Sequence, residues 1–172
     1  MSIRDEVFDF LGVAQIARLR KFSYEARLHE LRAQAERLTK AISPTPGVSG
    51  SESNQEAVWA ALADETARYV EELRMCGDVI HEVDEFIDRL PVPLVHREIL
   101  RLRHCNGLRW KQVETMVRKS GYYYSEKYLW ELHRKAMIIA DREYEMLIHD
   151  KPEIPKLVEH FRKGEVKENE YD

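Results

Sequence analysis

Two stretches of apolar residues repeat at alternating spacings of four and three, and a Pro/Gly-rich segment separates them. The first comprises Tyr24, Leu28, Leu31, Ala35, Leu38 and Ile42. The second comprises Leu62, Thr66, Tyr69, Leu73, Cys76, Ile80, Val83, Ile87 and Leu90. A mean spacing of about 3.5 residues marks a helix that packs lengthwise against another helix. Between the seams, SPTPGVSGSESN holds helix breakers and small polar residues that cannot anchor a core. The pattern predicts an all-α chain in which residues 24–90 form an antiparallel heptad helical hairpin with a flexible loop over 43–54. The second seam is the longer and leaves a surplus for another partner.

Residues 1–23 carry a looser apolar spacing, with Val7, Leu11, Ala14, Ile16 and Leu19. This predicts one or two short helices, with Gly12 as the interruption. Leu90-Pro91-Val92-Pro93 ends the second seam, because residues before proline avoid the helical region. A domain boundary is placed there. Beyond it, Leu94, Val95, Ile99, Leu102 and Cys105 are expected to face inward from a short helix, with Arg97, Arg101 and Arg103 exposed. Asn106-Gly107 stops that helix. Trp110, Val113, Met116 and Val117 define a helix over 109–119, ended by Ser120-Gly121. Ser125 is an N-cap for a longer helix to about 149, with Leu129, Leu132, Ala136, Ile139 and Tyr144 on or near one face. Residues 150–172 read as a charged tail with a short helix at 155–163 and a disordered end.

Charge is divided along the chain. The net charge is −4, yet residues 43–93 carry −8 and residues 94–149 carry +4. The basic block coincides with the helix–stop–helix segment, where contacts to phosphate would need it. Cys76 and Cys105 form neither a CxxC nor a Cys/His ligand spacing, so no metal site or disulfide framework is expected. The seven histidines are scattered, with no HExxH and no Ser-His-Asp grouping, and there is no phosphate-cradling glycine loop. Neither catalysis nor a cofactor is expected. The charged N-terminus and the lack of a membrane-length apolar run predict a cytoplasmic protein with no membrane partner.

The run LPVPLVHREILRLRHCNGLRWKQVETMV, followed by YYYSEKYLWELHRKAM, resembles the promoter-reading region four of bacterial sigma factors. It is most similar to the sigma-region-four-like regulators of phages and prophages, of the ArpU and RinA type, over roughly residues 24–149. The resemblance implies a helix-turn-helix DNA-binding domain over 94–149 and a sequence-specific transcriptional regulator in a bacterial host cell. The implied partner is double-stranded DNA; the surplus of the second heptad seam is left for the N-terminal helices, a second copy of the chain (a homo-oligomer through the heptad helices) or RNA polymerase. The chain departs from the family at Val113-Glu114, where an Ile-Ala pair is common, and in its long SGYYYS turn.

Carried onto this chain, the start of the recognition helix offers Ser125, Glu126, Lys127, Tyr128, Trp130, Glu131 and Arg134 as base-reading candidates. Lys127 and Arg134 can donate to phosphate or guanine, and Glu131 can accept from cytosine N4. Arg109, Lys111, Arg118, Lys119, Tyr124 and Lys135 are the candidates for the DNA backbone. Two other readings fit the same parts. One is a small-terminase-like DNA-packaging subunit; the other is a helical interaction protein whose basic patch is incidental.

Overall fold

The structure is a computed structural model that describes residues 3–41 and 52–168. Every regular element among them is helical: α1 (Asp5–Ala41), α2 (Glu52–Arg89), α3 (Leu94–Leu100) with a π-helical turn at Arg101–Cys105, α4 (Trp110–Lys119), α5 (Glu126–Asp150) and α6 (Ile154–Glu168). The chain is all-α. Most of the expected 43–54 loop lies outside the described residues.

Residues 1–18 and 78–172 form one compact unit, and residues 19–77 form another. This division corrects the expected boundaries. Residues 1–23 are not separate short helices, because α1 runs unbroken through Gly12. Val7, Phe10 and Leu11 before Gly12, and Val13, Ala14 and Ala17 after it, are all buried. That burial outweighs the roughly 1 kcal/mol that glycine costs a helix. Nor does Pro91-Pro93 separate domains. Leu90 and Val92 are buried, and Arg97 Nη2 donates to the Leu90 carbonyl at 2.9 Å.

The first unit is centred on aromatic packing. Phe10 meets Phe86 edge-on at 5.2 Å between ring centroids and lies 5.1 Å from Tyr144. Arg4 ties the start of α1 to α5, donating from its backbone N–H and its Nε to Asp141 at 3.1 and 3.0 Å. The segment expected to be a charged tail contributes Ile154, Val158 and Phe161 to the buried core. It is therefore a structural helix through Glu168, not a loose end. Lys151 at its entry holds Glu82 at 2.7 Å.

The second unit is an antiparallel pair. Tyr24 meets Tyr69 at 5.4 Å, and Arg27 Nη2 meets Glu65 at 2.9 Å, so partners on α2 descend as those on α1 ascend. Its hydrophobic cluster is built on buried Leu28, Leu31 and Leu62, flanked by partly buried Ala35, Leu38, Trp59, Tyr69 and Leu73.

The π turn widens the end of the third helix. Asn106 N–H reaches back to the Arg101 carbonyl at 2.9 Å, and Leu108 N–H reaches the Leu102 carbonyl at 3.0 Å. Gly107 closes it at φ +64°, where an added Cβ would sit 2.3 Å from the Gln15 amide nitrogen. Gly107→Ala should cost about 1–2 kcal/mol from the left-handed backbone alone. Gln15, a flexible side chain, can swing away. Chemical denaturation measures the loss.

Candidate nucleic-acid interface

The α4–turn–α5 segment rests on a closed apolar core. Val95, Ile99, Leu102, Val113, Val117, Leu129 and Leu132 are buried together, and Leu108, Trp110, Tyr122 and Tyr124 pack against them. Val113 and Val117 face inward because they stand one helical turn apart. Leu94, expected inside, is instead exposed, as is Met116 of α4. The three-helix core closes without them.

Local sequence fixes both ends of the turn. Arg109 N–H donates to Gln112 Oε1 at 2.8 Å, which starts α4. Gly121, at φ +92°, ends it in a Schellman motif. There, Tyr122 N–H reaches the Val117 carbonyl at 3.2 Å and Gly121 N–H reaches that of Arg118 at 3.0 Å. Ser125 then caps α5, its hydroxyl oxygen accepting from Tyr128 N–H at 3.3 Å. Tyr122 and Tyr124 stack at 5.7 Å and line the turn's inner side, whereas Tyr123 is 80% exposed.

The sequence-selected residues separate clearly by environment. Ser125, Glu126, Lys127, Tyr128, Trp130, Glu131, Arg134 and Lys135 of α5 are all exposed, as are Arg109, Lys111, Arg118 and Lys119 around α4. Tyr124 is half-buried, its ring 5.0 Å from Tyr128. Among the described residues, Arg109, Lys111, Lys119, Lys127, Arg134 and Lys135 make no ion pair. Arg118 meets Glu114 at 2.9 Å, one turn back on the same helix. In that pairing the Glu114 carboxylate is turned outward, away from the apolar core. Exposed pairs of this kind are worth about 0.3–0.5 kcal/mol and yield readily to a phosphate.

Arg97, Arg101 and Arg103 are not the free surface cations expected. Arg97 holds the Leu90 carbonyl, and Arg101 Nη2 pairs with Asp88 at 2.5 Å. Arg103 Nη1 donates to the Leu108 carbonyl at 2.8 Å while its guanidinium lies 5.4 Å from the Trp110 ring centre. Their charges serve the scaffold. Arg18 does the same, donating to the Cys105 carbonyl at 2.8 Å.

Sequence reasoning missed two polar features. The first is the Arg4–Asp141 tether. The second is a histidine pair, with His104 Nε2 and His133 Nε2 2.9 Å apart. The signal for His133 was present: it lies four residues after Leu129 and three before Ala136, on the apolar face. Nothing in the sequence named its partner. One ring must donate and the other accept, so the accepting ring is neutral and the two cannot both be charged. Burial, then the charge on neighbouring side chains, pushes His104 down to about 3 and His133 to about 4. Unfolded, each titrates near 6.5. The unfolded chain therefore binds more protons between those values, so stability is fully present above pH 6.5 and falls as pH drops toward 4. A loss of a few kcal/mol by pH 5 is expected. Thermal melts at pH 7 and 5 measure it, and a His104→Leu/His133→Leu chain should lose most of that difference.

Trp110 and Trp130 lie 4.6 Å apart above this pair. With Ile3, Phe8 and Met137 they line a cleft of about 490 Å³, and Lys127, Glu131 and Arg134 also line it. Trp130 remains 51% exposed there. Cys76 and Cys105 are buried free thiols, both pushed up to about 11 by burial, and are unreactive packing residues. Among the described residues, no group of three metal-ligating side chains occurs, and no helix is long and apolar enough to cross a membrane. No protein-family model, curated protein or solved structure matches the chain.

Proposed function

We propose that residues 94–149 act as a helix-turn-helix module that binds duplex DNA, and that the chain regulates transcription at a phage or prophage promoter. α4 crosses the phosphate backbone and the start of α5 enters the major groove. One observation carries this reading: six cations without ion pairs among the described residues lie on the exposed side of α4 and α5, outside a compact apolar core. Surface cations elsewhere in this unit are largely committed to carbonyls and carboxylates. Arg109, Lys111 and Lys119 set register on phosphates. Lys127 and Arg134 donate to bases or phosphates, and Glu131 accepts from cytosine. The sigma-like run from Leu90 to Met137 supports the promoter assignment.

The test begins with selection of bound sequences from a random duplex library. Fluorescence anisotropy on a selected and a random duplex then follows across a salt series. Four to six phosphate contacts should give a log–log salt slope of about −4 to −5. The selected duplex should bind on the order of a thousandfold tighter than the random one. Equal weak binding to both would remove sequence-specific regulation. No salt-dependent binding even at low ionic strength would remove the DNA reading altogether.

A further inference from the structure

We propose that the cleft beside Trp130 is a binding site for a small planar aromatic carboxylate. The cleft lies within the unit formed by residues 1–18 and 78–172. At about 490 Å³ it falls in the size range of small-molecule sites. One of its walls is a face of α5. Lys127, Trp130, Arg134 and Met137 follow one another at spacings of three, four and three, so they share that face. Phe8 of α1 and Trp110 of α4 line it from the other side.

The interior suits a flat apolar ring. Met137 and His133 are buried, whereas Trp130 remains half-exposed. Trp130 is also held in place. Its ring packs on Trp110 at 4.6 Å, and Trp110 in turn meets His133 edge-on at 5.1 Å and lies against the Arg103 guanidinium. The two indoles are in contact, so no ring enters between them; the ligand packs on the exposed part of Trp130. A wall fixed before binding spares the ligand the cost of ordering it, and ring stacking adds to the burial of apolar area.

The rim selects the charge. Arg103, Lys127 and Arg134 line the cleft with a single acid, Glu131. Arg103 is committed to the Leu108 carbonyl and the Trp110 face. Lys127 and Arg134 make no ion pair among the described residues, so two cations face one acid and favour an anion. A carboxylate takes charge-assisted hydrogen bonds from both, and the planar guanidinium matches its two oxygens. Lys127 and Arg134 also serve DNA in the reading above, but the ligand is measured on the chain alone and does not depend on that reading.

The probe is α-naphthoate, with its neutral amide as the control. The full chain holds three tryptophans, Trp59, Trp110 and Trp130, and each gives one indole N–H signal in a heteronuclear correlation spectrum. Trp59→Phe and Trp130→Phe assign them. Naphthoate should bind with a Kd on the order of 100 µM, as its size allows in a preformed pocket. It should move the Trp110 and Trp130 signals and leave that of Trp59, in the other unit, in place. The amide should bind about tenfold more weakly, for want of the charge-assisted bonds. Lys127→Ala and Arg134→Ala should each weaken naphthoate about tenfold, and Glu131→Gln should tighten it severalfold by removing a like charge. All three side chains are exposed, so the fold is retained. Still Trp110 and Trp130 signals at about 5 mM naphthoate, far above the expected Kd, would overturn the proposal. Equal affinity for acid and amide, a Trp59 signal that moves in step with the others, or affinities that ignore all three substitutions would overturn it too.

Discussion

Replacing Lys127, Arg134 and Lys135 together with alanine should lower affinity for duplex DNA by on the order of a thousandfold, at about tenfold per charge-assisted hydrogen bond. The fold should be untouched. All three side chains are exposed and make no ion pair among the described residues, so their removal leaves no buried partner unsatisfied. The salt slope should become shallower by about 0.9 for each phosphate that is no longer neutralised. Individual variants separate the roles. Lys135→Ala should weaken all sequences alike, whereas Arg134→Ala should also relax selectivity at one base position. Arg103→Ala is the instructive contrast. Its guanidinium serves the Leu108 carbonyl and the Trp110 face, so it should cost stability before it costs salt-dependent affinity. Anisotropy titrations paired with denaturation curves distinguish the two outcomes.

Phe161→Ala should destabilise the chain by about 3–5 kcal/mol, the range for truncating a buried aromatic. Set against a typical stability of about 5–15 kcal/mol, that loss is severe. Phe161 is fully buried, and α6 also contributes Ile154 and Val158 to the core. Arg162 of the same helix pairs with Asp9 of α1. Removing residues 152–172 should therefore be at least as damaging, with equilibrium denaturation giving the size of the loss. A truly dispensable tail would leave the transition midpoint where it was.

α6 shows why the sequence under-reports such elements. Its run of KPEIPKLVEHFRKGEVKENEYD is dominated by charge, and of residues 151–163 only Ile154, Val158 and Phe161 are buried. Three apolar residues over two turns are too few for periodicity to distinguish a docked helix from a transient one. The core they fill is built by α1 and α5, which are distant in sequence. The same holds for Gly12: local propensity predicts a break, and burial on both sides removes it. His104 and His133 are 29 residues apart, so no local window could have paired them.

The recognition segment is legible for the opposite reason. Asn106-Gly107, Ser120-Gly121 and Ser125 act through bonds within a few residues, so the chain itself specifies where α4 and α5 begin and end. The heptad spacings likewise determine by themselves that residues 24–90 are helical, because a period near 3.5 can be buried only along a helix. Charge was legible only as a total. The basic block over 94–149 was countable from the residues alone, but which of its cations remain available was decided by tertiary structure. Arg97, Arg101 and Arg103 are drawn to carbonyls and carboxylates that folding brings within reach, while Lys127, Arg134 and Lys135 meet none among the described residues. Short-range geometry is written in neighbouring residues; the partner of a long, flexible cation is set by whatever the fold places beside it.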